Sequence, residues 1–123
     1  MEGLLTSNAV RVPTPNVSLA VLILELSQAV TSEAVNAQLK QASCHSTLQA
    51  NMGYTEERDA ASSDFVGDSH AGVVDGKATV CKGKKCNLYV WYDNEAGYSN
   101  QVIRIMARLA GATLPRFPPS PAY

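Results

Sequence analysis

The sequence predicts a single α+β domain in which a mostly antiparallel or mixed sheet is covered by two helices. A chain of 123 residues is near the usual size of one domain. Its 46% hydrophobic and 17% charged residues are typical of a folded protein and not of a disordered one. Apolar residues follow a strand pattern in several short segments and a helical period in two.

The charge balance and the apolar runs exclude several classes of function. The sequence has ten Lys and Arg residues and eleven Asp and Glu residues, which gives a net charge of −1. No overall basic field therefore exists to bind nucleic acid. The longest largely apolar run, Val17 to Leu24, ends at Glu25 and is too short to cross a bilayer. No secretory pattern begins the sequence, and three cysteines, an odd number, favour a reducing compartment. We therefore expect a cytoplasmic protein, or an organellar one in a eukaryote.

Two strands are predicted near the N-terminus. Residues 9–12 are β-prone, and Pro13 and Pro15 end the segment because proline supplies no hydrogen-bond donor to a sheet. Residues 17–26 alternate imperfectly and contain β-branched side chains, which indicates a strand buried on both faces.

A helix is predicted to follow over residues 33–42. Ser32 is a suitable N-cap, and Glu33 suits the positive end of the helix dipole. One face of the helix is apolar and should pack on the core: Val35, Leu39 and Ala42.

The middle of the chain predicts mostly strands. Residues 53–55 form a short strand, residues 56–63 a loop or weak strand, and residues 71–81 and 86–92 two longer strands. Residues 82–85, Lys-Gly-Lys-Lys, then make a four-residue hairpin with a basic tip.

A second helix and an extended arm end the chain. A helical stripe ends at Gly111, a natural stop, and comprises Val102, Ile103, Met106, Leu109 and Ala110. Residues 113–123 contain four prolines and cannot form a helix or a central strand. The expected division is therefore a domain over residues 1–111 and a Pro-rich arm over residues 112–123.

Two segments are more specific than composition. The first reads Ala-Val-Arg-Val-Pro-Thr-Pro-Asn-Val-Ser over residues 9–18, and the second reads Trp-Tyr-Asp-Asn-Glu-Ala-Gly-Tyr-Ser over residues 91–99. Together they closely resemble the catalytic domain of phosphorylating glyceraldehyde-3-phosphate dehydrogenase. The resemblance runs from about Leu4 to Gly111 and implies a truncated version of that family's C-terminal domain.

The resemblance also implies a reaction. In the family, a cysteine thiolate attacks an aldehyde, a histidine handles the proton, hydride passes to NAD or NADP, and phosphate cleaves the thioester in glycolysis or gluconeogenesis. Arg11 matches an anion-site arginine, and a guanidinium suits phosphate oxygens. Asn94 matches a partner of the nicotinamide carboxamide. Tyr98 matches a tyrosine near the nicotinamide. These three residues are the predicted site, with no catalytic residue and no metal ligand among them.

No cysteine of this sequence matches the family nucleophile. Cys44 precedes His45, but it falls at the C-terminal end of its helix, where the dipole disfavours a thiolate. Cys81 and Cys86 flank the hairpin tip and are interpreted as half-buried residues, with a disulfide or lysine-activated thiols as alternatives. A zinc site would have a poor ligand set.

Two functions remain open. The chain is an enzyme portion, inactive alone, that binds NAD or NADP only when a dinucleotide-binding chain completes it. Alternatively, it is a non-catalytic interaction subunit of a larger assembly. In either case we expect a homo- or hetero-oligomer formed through the C-terminal helix or an open sheet edge, with no nucleic acid partner and no membrane insertion.

Overall fold

The structure is a computed structural model that describes residues 4–112. It confirms the predicted α+β class with a mixed sheet. The strands are β1 (Ser18–Glu25), β2 (Met52–Thr55), β3 (Gly72–Asp75), β4 (Val80–Lys82) and β5 (Lys85–Tyr92), the helices are α1 (Ser32–His45) and α2 (Ala96–Leu109), and a 3-10 helix spans Ser62–Phe65.

Strand β5 is the centre of the sheet. The order is β1-β5-β3-β2, and β4 also pairs with β5, next to its N-terminal end. Strands β2 and β3 run parallel to each other, whereas every pairing with β5 is antiparallel. The buried apolar side chains of the described chain gather around β3 and β5: Phe65, Val73, Val74 and Cys86.

Strand β1 lies at the edge of the sheet, so the prediction that it is buried on both faces is wrong. It pairs with β5 and with no other described strand. Leu19, Val21 and Ile23 are 40%, 48% and 79% exposed because no element covers their face. On the opposite face, Leu24 of β1 and Leu39 of α1 line an apolar groove of about 450 Å³.

Helix α1 begins one residue earlier than predicted. Thr31, not the predicted Ser32, is the N-cap, and its Oγ1 accepts a hydrogen bond from the Ala34 N–H at 3.2 Å. The Ser32 hydroxyl instead accepts a hydrogen bond from the Cys81 N–H at 2.8 Å, which ties α1 to β4. The predicted apolar stripe is half-buried: Val35, Leu39 and Ala42.

The strand predicted over residues 71–81 is divided into β3 and β4. Asp75 causes the break, because its Oδ1 accepts hydrogen bonds from the Lys77 N–H at 3.1 Å and the Ala78 N–H at 3.0 Å. These bonds turn the chain away from the β3 direction before β4 begins.

The basic hairpin is tighter than predicted. Lys82 pairs directly with Lys85, so the loop comprises Gly83 and Lys84 instead of four residues. Gly83 has φ of +61°, a conformation that a side chain would disfavour.

Residues 9–12 form no strand, contrary to prediction. The Thr14 N–H donates to the Val12 carbonyl at 2.9 Å, a tight turn centred on Pro13. The proline therefore bends the segment before it can join the sheet.

Helix α2 ends as predicted. Gly111 has φ of +73°, and its N–H donates to the Arg108 carbonyl at 3.1 Å, while the Ala112 N–H donates to Ala107 at 2.9 Å. This is the two-bond ending that glycine favours. The arm predicted over residues 112–123 lies, apart from Ala112, outside the described residues. Neither described helix is long and apolar enough to span a membrane.

Candidate functional site

The two motif segments lie side by side at one end of the sheet. The first residues of β1 pair with the last residues of β5, with Ser18 opposite Tyr92 and Leu19 opposite Trp91. Beyond this pairing, the Asn16 Nδ2 donates a hydrogen bond to the Asp93 Oδ2 at 3.2 Å. The segment that contains Arg11 is therefore fastened to the turn that contains Asn94.

The buried carboxylate of Asp93 joins three parts of the chain. Besides Asn16, it accepts hydrogen bonds from the backbone N–H groups of Gly67 at 2.9 Å, Glu95 at 2.9 Å and Ala96 at 3.0 Å. The backbone hydrogen bonds, that of Gly67 foremost, hold the pKa of Asp93 below its usual value. Asp93 thereby caps the first turn of α2 and fixes the backbone on both sides of Asn94.

The cap at Asp93 leaves the side chains of Asn94 and Tyr98 open to solvent at the start of α2. The Asn94 side chain is exposed, and Tyr98, one helical turn later, is 73% exposed. Within residues 4–112 neither side chain has a hydrogen-bond partner. Both polar groups therefore have their full capacity to bind a ligand.

Arg11 lies in the extended segment five residues before Asn16. The contour of five residues limits its distance from Asn16 to at most about 18 Å. Its side chain is exposed and makes no hydrogen bond or ion pair with any described residue. The three predicted site residues thus belong to adjoining segments, and none is occupied by an internal contact.

Trp91 is held in place at this end of the sheet by two contacts. Its ring stacks on Phe65 with centroids 5.4 Å apart, and its Nε1 donates to the Asp75 Oδ2 at 3.2 Å. Both ends of the indole are fixed, so the strand that leads to Asp93 has a defined position.

Polar contacts with loops hold α2 in place. Gln101 Nε2 and Arg104 Nη1 both donate to the Ser69 carbonyl at 3.1 Å, and Arg104 also donates to the Ala50 carbonyl. At the start of the helix, a Cβ on Gly97 would lie 2.7 Å from the His70 carbonyl oxygen. The helix therefore sits against backbone, and only glycine fits at that position.

Much of the apolar stripe of α2 is exposed. Ile103, Met106 and Leu109 are 58%, 63% and 83% exposed, and Val102 is half-buried. The polar residues that dock the helix lie on another face, so this stripe is left partly uncovered by the described residues.

None of the three cysteines has surroundings that would activate a thiol as a nucleophile. Cys81 and Cys86 are opposite each other on β4 and β5, with Cα atoms 4.0 Å apart, and form a disulfide. Cys44 is the free cysteine and lies in the last turn of α1, as predicted. Within residues 4–112, no group of three or more His, Cys, Asp or Glu side chains could hold a metal ion.

Sequence reasoning missed Asp93 and Asn16, the two side chains that organise this site. A signal existed for Asp93, because aspartate between a strand and a helix start is a favoured cap. No local signal pairs Asn16 with a residue 77 positions away.

Comparison with known proteins identifies the family. The family model described as "Glyceraldehyde 3-phosphate dehydrogenase, C-terminal domain" matches residues 1–94. The chain is 52% identical over 118 residues to a glyceraldehyde-3-phosphate dehydrogenase-like protein of Pseudomonas aeruginosa, covering 96% of this chain and 26% of that protein. It is 44% identical over 111 residues to glyceraldehyde-3-phosphate dehydrogenase 1 of Bacillus subtilis, covering 89% of this chain and 32% of that protein. It is 41% identical over 113 residues to a cytosolic glyceraldehyde-3-phosphate dehydrogenase of Craterostigma plantagineum, covering 91% of this chain and 33% of that protein.

The chain thus spans about a quarter to a third of the length of these curated relatives. The matched region includes β1 to β5 and both motif segments up to Asn94. The chain belongs to the family of glyceraldehyde-3-phosphate dehydrogenase C-terminal domains.

Proposed function

We propose that this chain supplies the phosphate-binding and nicotinamide-binding side chains of an NAD(P)-dependent glyceraldehyde-3-phosphate dehydrogenase. The hydrogen bond between Asn16 and Asp93 carries the proposal, because it joins the segment of Arg11 to the turn of Asn94. Two binding groups for one reaction must act at one place, and adjoining segments meet that condition.

Arg11 binds an anionic oxygen in this proposal, either of the substrate phosphate or of the attacking inorganic phosphate. A guanidinium offers several donors in a plane and stays charged at every physiological pH. Because no described carboxylate pairs with Arg11, its charge is available to a ligand.

Asn94 binds the nicotinamide amide in this proposal. One donor and one acceptor of its side chain match the acceptor and donor of a carboxamide, which fixes the orientation of the ring. Asp93 accepts hydrogen bonds from the backbone N–H groups of Glu95 and Ala96, so the turn that contains Asn94 is ordered before the ligand arrives. Tyr98, one helical turn further on, packs beside the ring.

The 123-residue chain alone does not catalyse the reaction in this proposal. Two of its three cysteines form a disulfide, and Cys44 lies at the negative end of a helix dipole. A second chain or chain portion supplies the thiolate, the proton acceptor and the dinucleotide site for NAD or NADP. The cytoplasm is the proposed location, in accord with the cytosolic name of the Craterostigma relative.

A chimera tests the enzyme proposal. The 111 aligned residues of the Bacillus enzyme are replaced by those of this chain, and dehydrogenase activity is measured with glyceraldehyde-3-phosphate, phosphate and NAD or NADP. We expect activity from the chimera and none from the 123-residue chain. Turnover by the chain alone would contradict its dependence on other residues.

Variants of the chimera test the individual roles. Arg11→Ala should lower kcat/KM for phosphate at least about tenfold, the effect of losing one charge-assisted hydrogen bond. Asn94→Ala should raise KM for the dinucleotide. Arg108→Ala is the matched control, since Arg108 is an exposed arginine on α2. Unchanged phosphate dependence in Arg11→Ala would remove that residue from the site.

The alternative is a non-catalytic subunit of a larger assembly. The uncovered stripe of α2 favours it, because exposed apolar side chains in a row mark interaction surfaces. A chimera that folds and binds dinucleotide, yet has no activity, would favour this alternative over the enzyme.

A further inference from the structure

The hairpin of β4 and β5 places two cysteines opposite each other. Lys82 and Lys85 flank its two-residue loop, and in such a hairpin the flanking residues exchange both backbone hydrogen bonds. Cys81 and Cys86 therefore form the next pair, which exchanges no backbone hydrogen bond, and side chains of opposed strands are closest at such pairs. The N–H of Cys81 agrees with this register, since it donates to the Ser32 hydroxyl at 2.8 Å instead of to β5.

The strand register holds the two cysteines together independently of the sulfur–sulfur bond. Their Cα atoms are 4.0 Å apart. The hairpin loop is also fastened to the chain before α1, because the Lys84 carbonyl accepts from the Leu26 N–H at 2.8 Å and the Gly83 carbonyl accepts from the Val30 N–H at 2.9 Å. These contacts use backbone groups, so they persist when the disulfide is reduced, and the two thiols stay in position for reoxidation.

The two cysteines differ in accessibility. Cys86 is 1% exposed and lines the groove that also contains Leu24 and Leu39, whereas Cys81 is half-buried on the three-residue strand β4. Thiol–disulfide exchange begins when a thiolate attacks one of the two sulfurs, and access decides which sulfur is attacked. The structure therefore favours attack at Cys81, with Cys86 as the leaving thiolate.

A disulfide of this span is suited to being broken and remade. The two cysteines are five residues apart, and closing so short a loop restricts the unfolded chain less than closing a long one. In a reducing compartment, disulfides are mostly transient and serve redox sensing or catalysis. Exposed disulfides are also the ones that exchange readily.

Positive charge surrounds the hairpin tip. It comes from three lysines whose side chains make no ion pair or hydrogen bond with any described residue: Lys82, Lys84 and Lys85. Neighbouring elements contribute two carboxylates, Glu25 opposite Lys85 on β1 and Glu33 in the first turn of α1. The excess of positive charge attracts a small thiol that carries net negative charge.

We propose that Cys81 and Cys86 are a reversible redox site whose reaction partner is a small thiol of net negative charge. In reduction, the thiolate of the partner bonds to the Cys81 sulfur, the sulfur–sulfur bond breaks, and Cys86 keeps the electron pair and takes up a proton. A second thiolate then attacks the partner's sulfur in the mixed disulfide and displaces the Cys81 thiolate, which is also protonated. Two thiols are thus oxidised to one disulfide while the protein disulfide gains two electrons and two protons, and the oxidised partner reverses the reaction. The proposal does not depend on the enzymatic function, because it uses only the hairpin.

Trapping the mixed disulfide tests which sulfur reacts. In a Cys44→Ser background, Cys86→Ala and Cys81→Ala each keep one cysteine of the pair, and each variant is incubated with oxidised glutathione at about pH 8, where an ordinary thiol is partly ionised. Mass spectrometry should show the adduct at least about tenfold faster in Cys86→Ala, because the thiol that remains in Cys81→Ala is buried. Both variants should react equally fast in urea, which is the control for folding. Equal rates without urea, or faster reaction at Cys86, would overturn the assigned order.

Reduction of the unmodified chain tests reversibility and does not depend on how well those variants fold. In mixtures of reduced and oxidised glutathione, alkylation and mass spectrometry should show the pair passing between dithiol and disulfide in both directions. A pair that stays entirely in one state across the whole series would overturn the proposal.

Lysine variants test the charge of the partner. At low ionic strength, the double variant Lys82→Gln and Lys84→Gln should slow reduction by glutathione about two- to fivefold and leave reduction by uncharged 2-mercaptoethanol unchanged. Lys77→Gln is the matched control, because Lys77 is an exposed lysine outside the hairpin. Equal slowing with both thiols, or no slowing with glutathione, would contradict a negatively charged partner.

Discussion

Val17 has the most unusual backbone of the described chain. Its φ of +71° lies in the left-handed region that β-branched residues avoid, at a cost of about 1–3 kcal/mol. Its N–H donates to the Asn16 Oδ1 at 2.8 Å, while the Asn16 Nδ2 donates to Asp93. The strain is therefore located where the segment of Arg11 is fastened to the turn of Asn94, which links it to the proposed site.

Val17→Gly should be tolerated because glycine adopts this conformation freely. The relief of about 1–3 kcal/mol offsets the lost side-chain contacts and the greater freedom of the unfolded chain. Urea unfolding should show a free energy of unfolding within about 1 kcal/mol of wild type. Val21→Gly, in regular strand conformation, is the control and should lose more stability. Equal losses would mean that Val17 is not strained.

Asp93 should govern part of the acid sensitivity of the domain. Its folded-state pKa is depressed by hydrogen bonds to its carboxylate, so its stabilising contribution is complete above the unfolded value of about 3.8. That contribution is lost as the pH falls below this value and through the lower folded pKa. Asp93→Asn should remove this acid-limb dependence and lower stability at neutral pH, since an amide NH₂ would face a donor.

Thermal unfolding from pH 2 to pH 7 measures this effect. Asp59→Asn is the control, because Asp59 is exposed and has no partner among the described residues. An Asp93→Asn variant with the wild-type pH profile would contradict the role given to the carboxylate.

At the scale of elements, helix α2 depends on one close approach. A methyl group at Gly97 would lie 2.7 Å from the His70 carbonyl oxygen, and this backbone cannot move independently of Ala71 and β3. Gly97→Ala should therefore destabilise the domain by about 1–3 kcal/mol, although alanine is favoured over glycine by about 1 kcal/mol inside a helix. Chemical denaturation compares it with Ser99→Ala, an exposed change two residues later. A stabilised Gly97→Ala variant would show that the helix can move without cost.

Elements with a local cause were predictable, and those fixed by distant contacts were not. The stop of α2 at Gly111 and the place of Cys44 in the last turn of α1 follow from neighbouring residues. The division of residues 71–81 depends on Asp75 bonding its own turn, which β-propensity alone does not reveal. The exposure of β1 depends on which strand occupies the edge, and strand order is not encoded in a local pattern.

The same distinction holds for the candidate site. The motif residues Arg11, Asn94 and Tyr98 could be selected from their segments alone. The contact that brings those segments together, from Asn16 to Asp93, required the paired ends of β1 and β5. The motifs therefore identified the side chains able to bind a ligand, whereas the contact that brings their segments together was visible only in the fold.

At the scale of the whole molecule, little apolar surface is removed from water. In residues 4–112 the fully buried apolar side chains are few, whereas large apolar side chains on β1 and α2 remain exposed. Since burial of apolar surface is the main favourable term in folding, the isolated monomer should be only marginally stable. Association through these exposed side chains would add contacts that the monomer lacks.

Thermal stability should therefore depend on protein concentration. A species that forms only from folded chains stabilises them by mass action, and a tenfold rise in concentration should raise Tm by about 3–5 °C for a domain of this size. Differential scanning calorimetry between micromolar and hundreds of micromolar measures this shift. Ile103→Lys should weaken the concentration dependence and Arg108→Lys should keep it, because only the first removes an exposed apolar side chain from α2. A Tm that is independent of concentration in the unmodified chain would mean that its folded state gains nothing from association, and that the few buried side chains around β3 and β5 suffice.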